Sequence, residues 1–163
     1  MRELILAGFD GNNNPSRTIV ENVKCGCRKL ILPNDREKSA ELLLKEIEKE
    51  STACIVIIGQ KPQICGKIAV ERQAKRCGEV LRTSLDVTSA AELIKESGYP
   101  AYISQSCGNS YCNHIYFEAL KTGVNSIFLH VPYMKNIPDM GALCSAVEGF
   151  VNGIAGVPAM LRA

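Results

Sequence analysis

The sequence contains no tryptophan, only two histidines, and few other aromatic residues, with four Phe and five Tyr among 163 residues. It has no apolar run near the ~20 residues that a membrane-spanning helix needs. Its first segment, MRELILAGFDG, has one positive charge and reaches a glycine too early for a signal peptide. These absences exclude a membrane partner and favour a cytoplasmic location.

The chain also has no large excess of positive or negative charge. The formal net charge is +2, no basic block is longer than a pair, and few aromatic residues lie between the positive ones. Nucleic acid is therefore not an expected partner.

The eight cysteines are about 5% of the chain, below the roughly 8–10% that is typical of a small secreted disulfide domain. We therefore expect thiols, most of them buried as small apolar side chains. Cys25 and Cys27 lack the two-to-four-residue spacer of a zinc site, so we expect no metal there.

What the sequence does contain is an alternation of β-rich runs and amphipathic segments. Continuous apolar runs of this kind suit a sheet covered on both faces, and 46% apolar residues can fill one core. We predict one α/β domain over residues 1–163. The predicted strands are ELILAGF, RKLILP, ACIVIIG, PAYIS and SIFLHV, and the main predicted helices lie near residues 34–51, 88–98, from 110 and from 139.

Sites in open α/β sheets usually form where strands end and loops begin. The loop GFDGNNNPS after the first strand lacks the spacing of both common phosphate-binding motifs, so it is better explained as a turn followed by a helix that starts at Pro15.

Three residues near other strand ends carry reactive groups. Cys112 lies near the start of a predicted helix, where the helix dipole favours a thiolate, although this location alone favours core packing. His130 ends the run SIFLH, and Glu71 lies within KIAVERQAKR, where it would ordinarily be a solvated charge. A Cys, a His and an acid are the parts of a thiol hydrolase, but their spacing does not bring them together.

Several motifs occur in an order that resembles pyroglutamyl peptidase I, also called pyrrolidone-carboxylate peptidase, a family of cysteine peptidases that remove N-terminal pyroglutamate. They are GF with the later NPS, IIGQ, VER, PAYISQSCG leading to YCN, and HVPY. The resemblance implies a three-layer α/β/α sandwich with a mostly parallel, mixed central sheet. It also implies no metal or organic cofactor, a peptide or small amide substrate with N-terminal pyroglutamate, and a homo-oligomer, either a dimer or a tetramer.

The resemblance also assigns roles to individual residues. It makes Cys112 the nucleophile, His130 the acid/base and Glu71 the acid that orients the imidazole. Arg72 and the backbone N–H of Cys112 are the candidates for oxyanion stabilisation. Gln60 matches a position beside the lactam ring, and Phe9 is the aromatic residue retained for substrate binding.

The chain departs from the family at three places. Relatives carry Phe-x-Pro-Phe where Phe9 is followed here by Asp10-Gly11-Asn12, and an aromatic residue where this chain has Ser110. Tyr111 is shifted by one residue, or about 100° around a helix, so it need not replace that wall. The segment between Glu71 and PAYIS is also shorter than in relatives.

These departures leave two alternatives open. The same Cys–His–Glu groups would act on a different small N-acyl or amide substrate, or the fold would serve a non-catalytic binding protein.

Overall fold

The computed structural model describes residues 3–49 and 52–156. The strands are β1 (Glu3–Phe9), β2 (Arg28–Leu32), β3 (Thr52–Lys61), β4 (Ile68–Glu71), β5 (Gln73–Arg76), β6 (Glu79–Arg82), β7 (Ala101–Ser104) and β8 (Asn125–Pro132). The helices are α1 (Pro15–Asn22), α2 (Arg36–Lys49), α3 (Val87–Glu96), α4 (Tyr111–Lys121) and α5 (Met140–Gly156), with one 3-10 turn at Met134–Asn136. No helix within these residues is long and apolar enough to cross a membrane.

Six strands form one sheet in the order β2-β1-β3-β8-β4-β7. The first four of these run parallel, β4 runs antiparallel to β8, and β7 runs parallel to β4. The sheet is therefore mixed and mostly parallel, as predicted. β5 and β6 form a separate hairpin that contacts α4.

Helices cover both faces of the sheet, which confirms the predicted three-layer sandwich. Side chains alternate across a strand, so β8 sends Ile127, Leu129 and Val131 to the face covered by α1, α3 and α5. It sends Phe128 and His130 to the opposite face, which α2 and α4 cover. We call these the α1/α3/α5 face and the α2/α4 face.

Local signals explain where two helices begin. The Asn14 side chain accepts a hydrogen bond from the backbone N–H of Ser16, 3.0 Å away, and Pro15 is the first helical residue of α1, as predicted. α3 is capped by Asp86, whose Oδ1 accepts a hydrogen bond from the backbone N–H of Thr88, 3.0 Å away. Gly98 follows α3 with φ +96°, a conformation that glycine adopts without strain.

Three features differ from the expectations. β4 and the β5–β6 hairpin were not predicted, because these strands are only four residues long and charged residues interrupt their pattern. Glu71 is fully buried, not solvated. Cys25 and Cys27 form a disulfide, so the expectation of thiols is wrong for this pair, whereas the other six cysteines are free.

Candidate active site

The candidate site lies where β3 and β8 run side by side toward their carboxyl ends. Their parallel register places His130 opposite Gly59 and next to Gln60. β4 flanks the other side of β8, and Glu71 lies one diagonal position from His130 in that pairing. Two residues 59 positions apart in the sequence therefore meet on the α2/α4 face.

Glu71 and His130 form a buried pair, with 2.8 Å between Glu71 Oε1 and His130 Nδ1. Because a carboxylate only accepts hydrogen bonds, Nδ1 carries the proton and Nε2 has a free lone pair. Burial lowers the pKa of His130 below its usual value near 6.5, and this outweighs the hydrogen bond and charge of Glu71, which raise it. The imidazole is therefore neutral at neutral pH and can accept a proton.

Cys112 is the second residue of α4, and Ser110 precedes the helix as its N-cap, with an extended backbone. A Cβ atom at Gly59 would lie 3.1 Å from Cys112 Sγ, so the missing side chain of Gly59 makes room for the thiol above β3. Since Gly59 pairs with His130 across the sheet, the thiol and the imidazole lie over adjacent strand positions on the same face. Both line the same cavity.

The thiol of Cys112 is protonated in this environment. Burial raises its pKa to about 12, and the hydrogen bond from Ser110 offsets only part of that increase. The expectation that the helix dipole would favour a thiolate is therefore not met, because the thiol is withdrawn from water. The site holds a neutral thiol beside a neutral imidazole.

The cavity has a volume of about 440 Å³, and Phe9 and Tyr111 form an aromatic wall in it. Their rings meet edge to face, with centroids 5.2 Å apart. The shift of Tyr111 by one residue, which left its place in the wall open, therefore does not remove it from the wall. Tyr111 OH also donates a hydrogen bond to Asn34 Oδ1, 2.9 Å away, which fixes the ring against the loop after β2.

A second cavity of about 470 Å³ adjoins the first. The two share four lining residues, Asn14, Gln60, Tyr111 and Tyr133. The remaining lining of the second cavity is mostly polar and includes Asp10, Asn13, Asn34 and Lys135. A ligand larger than the first cavity can therefore extend along a polar surface.

The structure brings most of the predicted site residues together. Phe9, Gln60, Cys112 and His130 line the first cavity, and Glu71 lies behind His130. Arg72 is not among the residues that line either cavity. It follows Glu71 by one position, its charge acts on Asp86 at the start of α3, and its Nε is buried without a hydrogen-bond partner among the described residues. Its role in oxyanion stabilisation stays a prediction.

Sequence reasoning missed two residues of this site. Tyr133 lines both cavities, and its place in HVPY was a usable signal. Lys61 lines the first cavity and contacts Glu71, with 3.0 Å between Nζ and Oε1. Only its position directly after IIGQ pointed to it, since a lysine at a strand end is ordinarily solvated.

A thiol, an imidazole and a buried carboxylate beside a cavity at a sheet edge are the groups from which thiol hydrolases are built. Among residues 3–49 and 52–156, no three His, Cys, Asp or Glu side chains are grouped so that they could hold a metal ion. The site is thus of the cysteine hydrolase class.

Comparison with curated proteins points to one kind of cysteine hydrolase. The pyrrolidone-carboxylate peptidase of Lactobacillus johnsonii is 26% identical over 198 aligned residues, which cover 95% of this chain and 92% of the relative. That of Lactobacillus helveticus is 27% identical and covers 77% of each chain. No family model matches the chain.

Solved structures show the same fold. Pyroglutamyl peptidase I from Bacillus amyloliquefaciens superimposes with a TM-score of 0.81 at 21% identity, covering 96% of this chain and 98% of the other. The pyrrolidone carboxyl peptidase of Thermococcus litoralis gives a TM-score of 0.78 at 20% identity, covering 93% and 92%. The predicted resemblance to the pyrrolidone-carboxylate peptidases is confirmed, at 26–27% identity over most of the chain.

Proposed function

We propose that this protein is a cysteine peptidase that removes N-terminal pyroglutamate from peptides, with Cys112 as nucleophile, His130 as acid/base and Glu71 as the orienting acid. The observation that carries the proposal is the buried Glu71–His130 pair beside Cys112 at a cavity walled by Phe9. The names of the relatives agree with this activity.

The first chemical step is acylation of Cys112. As Sγ attacks the pyroglutamyl carbonyl carbon, the thiol proton passes to His130 Nε2, because the pKa of about 12 leaves almost no free thiolate. Glu71 stabilises the imidazolium that forms. The tetrahedral intermediate then collapses, the carbon–nitrogen bond breaks, and Nε2 gives its proton to the departing amine, leaving a thioester.

The second step is hydrolysis of that thioester. Water attacks the same carbonyl carbon and transfers one proton to His130 Nε2, and the proton returns to Sγ as the carbon–sulfur bond breaks. The products are pyroglutamate and the free thiol. The backbone N–H of Cys112, in the first turn of α4, is our candidate to stabilise the oxyanion in both steps, since the first helical N–H groups have no intrahelical acceptor.

Recognition of the ring is assigned to Gln60 and the aromatic wall. Gln60 lines both cavities and would hydrogen-bond the polar edge of the lactam. A lactam amide left unpaired in such a site would cost roughly 1–3 kcal/mol, so this partner would favour pyroglutamate over an apolar ring. The polar second cavity would then receive the rest of the peptide.

The test is release of a fluorescent amine from a pyroglutamyl amide under reducing conditions. The wild-type protein should release it, and Cys112→Ser should not. Cys77→Ser is the matched control, because Cys77 is an exposed free cysteine and its loss should leave the rate unchanged. Folded wild-type protein without activity would contradict the proposed specificity.

A related amidohydrolase is the second candidate. The cavity next to Phe9 is lined by Asp10, Asn13 and Asn14, where relatives carry further aromatic residues, and this polarity suits a different small N-acyl group. A panel of acyl amides tested on the same protein distinguishes the two, since pyroglutamyl should give the highest kcat/KM if the first proposal holds.

We further propose that residues 1–163 form one domain that works in the cytoplasm as a homo-oligomer, either a dimer or a tetramer. Support for one domain comes from the sheet, in which β1 and β8 both pair with β3. Support for the cytoplasm comes from the six cysteines that are free beside the Cys25–Cys27 disulfide, and the assembly rests on the family resemblance. Sedimentation velocity at micromolar concentration should give a dimer or tetramer mass, and a monomer would contradict the assembly.

A further inference from the structure

Lys61 occupies an unusual position at the end of β3. Its Nζ lies 3.0 Å from Glu71 Oε1, 3.3 Å from Ser104 Oγ and 2.6 Å from the backbone oxygen of Ser106. An ammonium group has three N–H donors, and here each has an acceptor. Less than a quarter of the side chain is exposed. This is not a solvated surface lysine.

The Glu71 oxygen that Lys61 contacts is the one that accepts from His130 Nδ1. The two donors therefore meet on a single atom, and the imidazole and the ammonium group lie within two hydrogen bonds of each other. The other oxygen, Glu71 Oε2, is buried and has no hydrogen-bond partner among the described residues. Lys61 is thus the cation that compensates the buried carboxylate.

We propose that Lys61 is a positioning residue of this site, which holds the Glu71 carboxylate against His130 and ties the segment before Cys112 to the sheet. The proposal rests on the proposed function for its catalytic consequence. The contacts themselves do not depend on the substrate.

The electrostatic effect of Lys61 follows from the charged and titratable groups around the Glu71–His130 pair. A cation beside Glu71 favours the carboxylate and opposes a second positive charge on His130. Lys61 accordingly lowers the pKa of His130, in the same direction as burial. The titratable groups that surround the pair from β3, β4, β8, the loop before α4, and α4 are Lys61, Glu71, His130, Cys107, Cys112 and Tyr116.

Lys61 also links two chain segments, through its contacts with Ser104 and Ser106. Ser104 is the last residue of β7 and pairs with Glu71 in the sheet. Ser106 belongs to the loop that leads into α4, which carries Cys112. One ammonium group therefore joins the acid of the site to the chain segment that delivers the nucleophile. An apolar side chain such as that of Met can make neither contact.

The test is an NMR titration of His130 in the ligand-free protein, which needs no turnover. The chain has only two histidines, so His114→Gln identifies the His130 signal. Without the cation, the Glu71–His130 pair should bind its proton at higher pH, since an opposing charge has been removed. We expect Lys61→Met to raise the titration midpoint of His130 by about one pH unit.

Three further variants make the result specific. Lys61→Arg keeps the charge and should titrate within a few tenths of the wild-type midpoint. Lys61→Gln keeps an amide donor for Ser106 but no charge, so it should titrate like Lys61→Met and replaces that variant if it fails to fold. Lys95→Met removes an equivalent charge from α3, on the other face of the sheet, and should change nothing.

An unchanged midpoint in Lys61→Met or Lys61→Gln overturns the proposal. Unfolding of both, seen by circular dichroism, also overturns it, because Lys61 would then act on the fold and not on the site. If the wild-type protein cleaves pyroglutamyl amides, the acid limb of kcat/KM should move by the same amount as the NMR midpoint, with Lys61→Arg restoring it. Failure of cleavage alone contradicts the proposed function and leaves the NMR result to decide the role of Lys61.

Discussion

The two faces of the sheet carry different kinds of side chain, and β8 displays the difference within one strand. Toward the α1/α3/α5 face it sends Ile127, Leu129 and Val131, all fully buried and aliphatic. Toward the α2/α4 face it sends Phe128 and then His130, next to Glu71 and Cys112. The first face buries apolar surface, which stabilises the fold, whereas the second also buries polar groups, which is unfavourable unless they are paired, at the candidate site.

This difference means that substitutions on the two faces of the same strand should separate stability from activity. The α2/α4 face should respond mainly in kcat/KM and in pH dependence. The α1/α3/α5 face should respond mainly in the free energy of unfolding.

The largest effect on activity is expected from His130→Ala. Loss of the acid/base removes proton transfer in both steps, which is typically worth 10²–10⁴-fold, and we expect about a thousandfold loss in kcat/KM. His114→Ala is the matched control, because His114 lies outside both cavities. Similar rates for the two variants would contradict the assignment of His130.

Gly59→Ala should have the next largest effect. The new methyl group would lie 2.7 Å from Phe128 Cζ and 3.1 Å from Cys112 Sγ, so the Phe128 ring must shift and the thiol must give way by a few tenths of an ångström. A misplacement of about 1 Å can cost about a hundredfold in rate, so for this smaller displacement we expect a loss of about tenfold in kcat/KM. Gly156→Ala is the control, since a Cβ there meets nothing within 4 Å. Full activity of Gly59→Ala would place the thiol elsewhere.

The pH dependence gives a smaller effect with a defined sign. Because burial lowers the pKa of His130, the neutral base persists below pH 6.5, and the acid limb of kcat/KM should have its midpoint below that value. The free energy of unfolding should depend on pH in the same direction. The stabilising contribution of the neutral, buried His130 should be fully present above about pH 6.5 and should be lost as the pH falls through the folded-state pKa. A kinetic midpoint above 7 would contradict a buried, neutral imidazole.

Leu129→Ala should have the smallest effect on kcat/KM and a large effect on stability. Leu129 is fully buried on the α1/α3/α5 face, directly before His130 in β8. Removing a buried leucine typically costs about 2–5 kcal/mol of unfolding free energy, which urea denaturation would measure. The rate of the remaining folded protein should stay within about twofold of wild type. A selective loss of kcat/KM would show that the two faces are not independent.

The sequence allowed the scaffold and part of the site to be predicted. Long apolar runs such as ACIVIIG and SIFLHV identify buried strands, because a sheet covered on both faces needs apolar side chains in both directions. Pro15 and Gly98 mark helix ends for local backbone reasons. The roles of Cys112, His130 and Glu71 came from the family resemblance and not from these patterns.

What could not be predicted depends on contacts between distant segments. Local pattern suggested that Glu71 is solvated, and only the pairing of β4 with β7 and β8 buries it. The pKa of Cys112 is likewise raised by burial between the start of α4 and the sheet, which its position in the helix does not show. Lys61 reads as a surface lysine until β3, β4 and β7 are placed together.

The most direct test of the central claim is mass spectrometry of the acid-quenched enzyme after mixing with an activated pyroglutamyl ester, whose acylation step is fast. The account predicts one pyroglutamyl group on the peptide that contains Cys112, absent from Cys112→Ser. Turnover without that adduct, or an adduct on another cysteine, would contradict the proposed mechanism.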